Sequence, residues 1–463
     1  MTGHPLRLRL DYKKKRSEIR CLMDSAPLMR KTGVSAAPGW EPEHRDSYPP
    51  LTTDLEVDTA IVGGGVVGLA CALELSDRGV AVVLVERDRI ASGSTGWCAG
   101  VLSHSTTLDV SLVEKACGQE TARAISRAVA STLDAYSRRF PHTQWQTGNT
   151  LYLAAKPSHV EILRQEETAR AAFGLNRATV ADDHLATLLP GFFGALKEED
   201  EHGVNPVLLM QAMAREAAAG GAKIFEQTAV IDWQCADGKV SLRTTGGVIR
   251  ARRLILAVGL SGASQKERQH LNRYLVPVIG HVLITEPSQA IAEMSAKHGV
   301  IASWDSLHLY HYARYLADGR MLVGGEELPG AIPGVCVPAD DAHVRRLHAW
   351  AQEHHNFVVP KVQHAWRASL IFPGDGMPLV QQRLVGGCPV VTVVTDGLPF
   401  AFALGAGVAR KFCEGEDWLT DALSDKRRMT WQARLLSWLP PVKALRTLAH
   451  RLAFAAFKVI DHV

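Results

Sequence analysis

Two patterns of apolar residues divide the chain. The first consists of short runs with no polar face, in Val57–Val62, Ala81–Val85, Arg253–Val258 and Pro389–Val394. Runs of this kind predict strands buried on both faces of a parallel sheet. Between the first two, Val66 to Arg78 places Val67, Ala70, Leu73 and Leu75 inward at helical spacing, and Gly79 follows as a stop. The second pattern is looser, often alternating, and predicts antiparallel strands over Gln144–Ala154, Val276–Thr285, Leu307–Tyr315, Arg320–Val323 and Val362–Leu370, plus a hairpin over Val240–Ile249 turning at Gly246-Gly247. Helices are expected at Leu112–Phe140, His159–Phe173, Leu185–Pro190, from Pro206 to Gly220, at Asp340–His354 and at Ala401–Phe412. The fold class is α/β: a Rossmann-like domain interrupted by an inserted α+β domain built on an antiparallel sheet.

The turn after the first strand carries the chemistry. Gly63, Gly65 and Gly68 form G-x-G-x-x-G between a strand and a helix. The first glycine permits the sharp turn, the second admits a pyrophosphate to the main chain, and the third lets the helix, entered through Val67, pack on the strand. Helix N–H groups then face the phosphates. Glu86 ends the second strand about 20 residues on, where a carboxylate accepts both ribose hydroxyls of an adenosine. An acid there disfavours a 2′-phosphorylated cofactor. Past Arg87, the loop Ala91–Gly100 (ASGSTGWCAG) is small and polar, and Ser94 and Thr95 are placed to run under an extended cofactor. A nicotinamide enzyme would return sooner to a third strand, so the loop favours FAD.

With these motifs the chain resembles the D-amino acid oxidase-like flavoproteins, over about Tyr48–Cys413 and closest to the γ-glutamylputrescine oxidase and glycine oxidase branch. The aromatic-x-Arg strand at Tyr312–Arg314, the Asp318-Gly319 turn and Gly324-Gly325 are similar to a run of that family. Trp366-Arg367 and Asp375–Pro378 match a family block in part, with Gly374 in place of the usual proline. The resemblance implies non-covalent FAD, since Trp97 stands where some relatives attach flavin through histidine. It also implies cofactor contacts at Val230, at Gly259, and at Asp396, Gly397 and Leu398, where a second helix N-terminus would stabilise negative charge on the flavin. Val258-Gly259 and Leu398-Pro399 depart from the family's usual residues.

The activity so implied is oxidation of a C–N bond in an amine or amino acid by hydride transfer to flavin N5. The imine is then hydrolysed and the flavin reoxidised by O2. Arg314 is a candidate carboxylate clamp or a structural salt bridge, with Arg367 a second anion candidate; Tyr310 and Tyr312 could hydrogen-bond substrate or belong to the core; His281 could be a base or a satisfied core histidine. Two other readings stay open: a dehydrogenase of an amine or 2-hydroxy acid passing electrons to a quinone or carrier, and a flavin-binding protein without catalysis.

Composition is that of an ordinary globular chain of 463 residues with 46% hydrophobic and 21% charged positions. The net charge of +3 hides an asymmetry, because residues 1–31 carry nine bases against three acids and residues 425–463 eight against two. The body between is acidic, which argues against nucleic acid as a partner. The eight cysteines are scattered without C-x-x-C, so no cysteine metal cluster is expected and a reducing, cytoplasmic setting is. Residues 1–47 read as a basic, disordered extension. Residues 48–110, 200–262 and 365–424 read as a discontinuous FAD domain, and 111–199 and 263–364 as the substrate domain. In 425–463 an amphipathic helix from Val442 reads as packed on the body or, alternatively, as a peripheral membrane contact.

Overall fold

The computed structural model describes residues 39–425, apart from 41, 43, 106–107, 176–177, 182–187, 260–274, 331–336, 339, 374 and 396. The expectations for residues 1–38 of the basic extension, the start of the Leu185–Pro190 piece, Gly374, Asp396 and the helix from Val442 lie outside the described residues.

A six-stranded sheet runs in the order 379–385, 388–394, 253–256, 59–62, 82–85, 223–225. Its last five strands are parallel, and only the 379–385 strand is antiparallel to its neighbour. Helices Val66–Asp77, Pro206–Ala219 and Leu398–Glu414 cover one face, and their buried residues share one core with helix Gln119–Arg139. The crossing is close because it uses small residues: a Cβ on Gly405 would sit 2.3 Å from the Ala70 Cβ. A four-stranded sheet (55–56, 248–251, 239–244, 230–236) closes the other face, with Val240, Leu242 and Ile249 packed against Ala60, Val83 and Leu254.

The third sheet has ten strands, following 337–338, 362–373, 275–285, 321–329, 312–315, 300–305, 146–153, 195–203 and 101–102, with 178–181 added beside 195–203. Its cross-strand register assigns its faces. Tyr312 stands opposite Gly324, Gly324 opposite Val282, and Val282 opposite Trp366. The neighbouring set, with Ala313, Val323, Leu283 and Ala365, lies on the other face in a second core beside helix Asp341–Glu353.

Several expectations change. The expected helix Leu112–Phe140 is two, Val110–Cys117 and Gln119–Arg139, broken at Gly118 with φ of 84°. The expected Leu307–Tyr315 strand is confined to Tyr312–Tyr315. The strand Ala195–Gly203 was not expected, because past Ala195 and Leu196 its buried side chains are Glu198 and Glu201. Both are buried against Arg170, whose Nη1 pairs with Glu198 and whose Nη2 lies 3.2 Å from Glu201. Buried charge survives only when paired in this way.

The packed chain also reaches back to Gly39, into what was read as an extension to residue 47. Trp40 is buried, and the Tyr48 amide donates to Glu226 at 3.2 Å. Among the described residues no helix is long and apolar enough to cross a membrane.

Candidate active site

The parallel strands 59–62, 82–85, 253–256 and 388–394 run into Gly63, Glu86, Gly259 and Gly397, so these residues gather at one edge of the sheet. Ligands bind at that edge in open α/β sheets. Gly63 has φ of 111°, and a Cβ there would lie 2.4 Å from the Ala257 carbonyl oxygen. A Cβ on Gly68 would lie 2.0 Å from the Gly63 oxygen, so the helix touches the turn through backbone alone. Gly65 is open by contrast, meeting only Thr95 Oγ1 at 3.1 Å.

Gly65 and Gly397 begin their helices without any side-chain cap. Their first-turn amides are thus left for an anion, apart from Val66 N–H, which donates to Thr95 Oγ1 at 3.2 Å. Pro399 sits in the first turn of the second helix, where a missing N–H costs nothing. The half-buried Glu86 carboxylate accepts from the amides of Gly64 at 2.7 Å and Asp88 at 2.9 Å. Burial raises its pKa, against the lowering by those two amides.

The loop 91–100 is fixed from all sides, largely by residues that the sequence did not mark. Trp97 Nε1 donates back to Ser92 O, Trp366 Nε1 donates to Trp97 O, and Trp40 Nε1 donates to Cys98 O. Buried Glu226 accepts from Ile90 N–H at 2.8 Å, and Arg45 donates to the Ile90 carbonyl. Ser94 places a short helix, Ser94–Trp97, against the large sheet through its hydroxyl bond to Ser369 O at 3.0 Å. Arg87 is turned to Asp88 at 3.0 Å, and Val230 opens strand Val230–Ala236. The Val67 side chain is buried in the first helical turn.

A family model described as DAO, FAD dependent oxidoreductase, matches residues 58–411. The chain belongs to this family. FAD is its cofactor, and the uncapped amides, the open Gly65 and the half-buried Glu86 suit it. To gamma-glutamylputrescine oxidoreductase of Escherichia coli (strain K12) this DAO-family chain is 26% identical over 299 residues, 62% of this chain and 69% of that protein. To glycine oxidase of Geobacillus kaustophilus (strain HTA426) it is 26% identical over 282 residues, 59% and 71% of the two chains. The crystal structure of glycine oxidase from Geobacillus kaustophilus superposes with a TM-score of 0.66 at 21% identity, covering 81% of this chain and all of that one. The resemblance read in the sequence is thus borne out, as are the fold class and the cofactor.

The candidates on the large sheet separate. Tyr312 and Arg314 share the face that carries Trp366, toward the flavin loop, and the Tyr310 ring lies 5.9 Å from that of Tyr312. Arg314 corrects the clamp reading: it is buried and its Nη1 donates to Ala99 O at 2.7 Å, Gly100 O at 3.1 Å and Val204 O at 2.7 Å. Its guanidinium also stands over the Trp40 ring, and burial pulls its pKa down to about 10. The salt-bridge alternative fails too, because the acceptors are backbone carbonyls.

His281 is likewise corrected as a base at the flavin. It pairs across strands with Arg367 on the opposite face, stacked 4.1 Å from His343 of the covering helix. Its Nδ1–H donates to Glu326 O at 2.8 Å, and burial lowers its pKa to about 4, so it is a neutral core histidine. Arg367, on that same face, is not an anion site on the flavin side.

The same outer face gives a pH-dependent contribution to stability. His311 has Asp305 3.4 Å from Nδ1 and Glu326 3.8 Å from Nε2. Burial disfavours its cation, but the two carboxylates outweigh it and raise its pKa from 6.5 to about 9. Its stabilisation is therefore whole below pH 6.5 and is lost as pH rises through about 9. His311→Gln should flatten the fall in melting temperature across that window, removing on the order of 2 kcal/mol of pH-dependent stability. An unchanged slope in the variant would exclude His311 as its source.

Proposed function

We propose that this chain is an FAD-dependent amine oxidoreductase whose substrate nitrogen is received by the Tyr310–Tyr312 pair, with no arginine clamp for an α-carboxylate. The orientation of Arg314 carries this reading, with Nη1 on three backbone carbonyls and Nη2 and Nε against Gly203. A carboxylate clamp needs guanidinium donors turned to the substrate. Tilted tyrosine rings suit an amine instead, by attraction of the approaching ammonium to the ring faces and by a phenol hydrogen bond once the nitrogen is neutral. The likeness to gamma-glutamylputrescine oxidoreductase supports an amine substrate, and the likeness to glycine oxidase keeps amino acids as the comparison class.

FAD, when bound, would supply a two-electron acceptor for oxidation of the C–N bond. The chain's own residues hold the pieces. Glu86 would accept the ribose hydroxyls, the first-turn amides beyond Val66 would meet the pyrophosphate, and those after Gly397 would face the flavin ring. The apolar strand positions Val282, Trp366 and Ala368 keep water from the reacting carbon. Attachment of FAD is non-covalent in this reading, so acid precipitation should leave the flavin in the supernatant.

Anaerobic mixing of purified protein with polyamines, their γ-glutamyl derivatives, N-methyl and D-amino acids, and 2-hydroxy acids tests the proposal by bleaching of the flavin band. Bleaching by amines lacking an α-carboxylate, then reoxidation in air with peroxide release, is the expected result. Bleaching only by α-amino acids would sink the amine assignment, and reoxidation only by a quinone would replace the oxidase with a dehydrogenase.

Tyr312 lies flat on a glycine: a Cβ on Gly324 would fall 2.1 Å from its Cζ and 2.2 Å from its hydroxyl oxygen. Gly324→Ala should displace the ring and lower kcat/KM for the amine at least about tenfold while leaving the flavin bound. Unchanged kinetics would remove Tyr312 from the site.

A further inference from the structure

Just past the end of the flavin loop, His104, Asp134 and His202 bring one ligand atom each within 4.8 Å of one another. They come from three elements: the segment after strand Val101–Leu102, helix Gln119–Arg139 and strand Ala195–Gly203. We propose that they form a binding site for a divalent transition cation of the zinc class, with three protein ligands and an open position for water. Two imidazoles and a carboxylate select such ions over magnesium or calcium.

The geometry is near what the ion needs. His104 Nε2 and Asp134 Oδ1 are 3.0 Å apart, and the two imidazole centroids 5.4 Å. A tetrahedral zinc with bonds of about 2.0–2.1 Å sets its ligand atoms about 3.3 Å apart, so small side-chain movements suffice. An oxygen stands behind the far nitrogen of each histidine, within bonding distance at His202. Thr147 Oγ1 is 3.1 Å from His202 Nδ1, leaving Nε2 to coordinate, and Glu201 Oε2 is 3.6 Å from His104 Nδ1. Glu201 is itself held by the His104 amide at 2.8 Å and by Arg170 at 3.2 Å. Oxygen partners behind both imidazoles are what orients metal-binding histidines. Trp145 stands edge-on to the His202 ring and fixes it further.

His104 is buried while the Asp134 side chain is half exposed, so the ion would enter beside Asp134 and keep water on that side. The helix that carries Asp134 also stacks Tyr136 on Phe402 of helix Leu398–Glu414. A bound ion would therefore tie the edge of the large sheet to a helix that packs on the FAD domain.

The test is zinc binding to the flavin-loaded protein after chelator treatment and dialysis, read by elemental analysis, calorimetry and thermal melting. One zinc per chain at micromolar affinity with a raised melting temperature is expected. Asp134→Asn and His202→Gln should each weaken binding by at least about tenfold, whereas His142→Ala, at an exposed imidazole, should not. Melting of each variant without metal shows that it is folded, and Gln at 202 can keep the Thr147 contact. Absence of zinc binding, binding unaltered in both variants, or equal binding of magnesium would each overturn the site and leave only an ion pair between His104 and Asp134.

Discussion

Gly68→Ala should give a folded chain that purifies without its flavin. The added methyl would stand 2.0 Å from the Gly63 carbonyl oxygen and 3.1 Å from its carbon, both backbone atoms inside the phosphate turn. No rotamer relieves that contact, so either helix Val66–Asp77 retreats or the turn opens. Retreat is resisted by the Ala70–Gly405 crossing behind the helix, which leaves no slack. The turn must then distort, and with it the amides that meet the pyrophosphate. Preorganised charge-assisted hydrogen bonds are worth about 1.5–3 kcal/mol each, so FAD affinity should fall at least about a hundredfold. Gly79→Ala is the control. Its φ of 72° makes the substitution strained, but nothing lies within 4 Å and it is at the far end of the helix. It should cost roughly 1 kcal/mol of stability and keep the flavin. Absorbance of the purified proteins and fluorescence titration of FAD decide the matter; full flavin occupancy in Gly68→Ala would show that the third glycine is not what holds the helix in place.

How far these results could be read from the sequence depended on whether an element leaves a one-sided trace. The strand–turn–helix–strand from Thr59 to Glu86 did, because apolar runs, glycine spacing and the terminal acid agree. The large sheet did not. It is buried on both faces, so Val282 and Leu283 are equally apolar while pointing opposite ways, and nothing local said which side His281 would take. The strand Ala195–Gly203 was hidden for a different reason: Glu198 and Glu201 occupy interior positions that become habitable only once Arg170 arrives from a separate helix. Trp40 and Arg45 contribute to the flavin loop by bonds to the carbonyls of Cys98 and Ile90, and a backbone acceptor carries no residue-type signal. The same limit explains Arg314. Its charge suggested a carboxylate partner, yet its acceptors are the main-chain oxygens of residues 99, 100 and 204.

Arg314 is therefore expected to behave as a positioning residue for the loop and not as a substrate ligand. Arg314→Leu would leave the carbonyls of Ala99, Gly100 and Val204 buried without that donor, and remove the cation from the Trp40 ring. Gly100 O keeps the Val204 amide, so two acceptors are orphaned at about 1–3 kcal/mol each, and a loss of roughly 3–5 kcal/mol is expected in chemical denaturation. Lysine should recover little, since its ammonium falls short of the position from which Nη1 reaches the three carbonyls. Neither can the site relax around a new side chain, because Gly100 and Gly203 flank the guanidinium so closely that a Cβ on either would lie within 2.7 Å of its nitrogens. Flavin retention should fall with stability, because residues 99 and 100 end the loop that runs from Ser94 and Thr95. The two roles make opposite predictions for Arg314→Lys. A clamp would raise KM for carboxylate-bearing substrates and leave folding and flavin content alone; a strut would lower the denaturation midpoint and flavin content together, and the KM for amines would stay near its starting value in the molecules that remain loaded. A stable, fully flavinated lysine variant with a selective defect toward carboxylates would return Arg314 to the substrate and reopen the amino-acid reading.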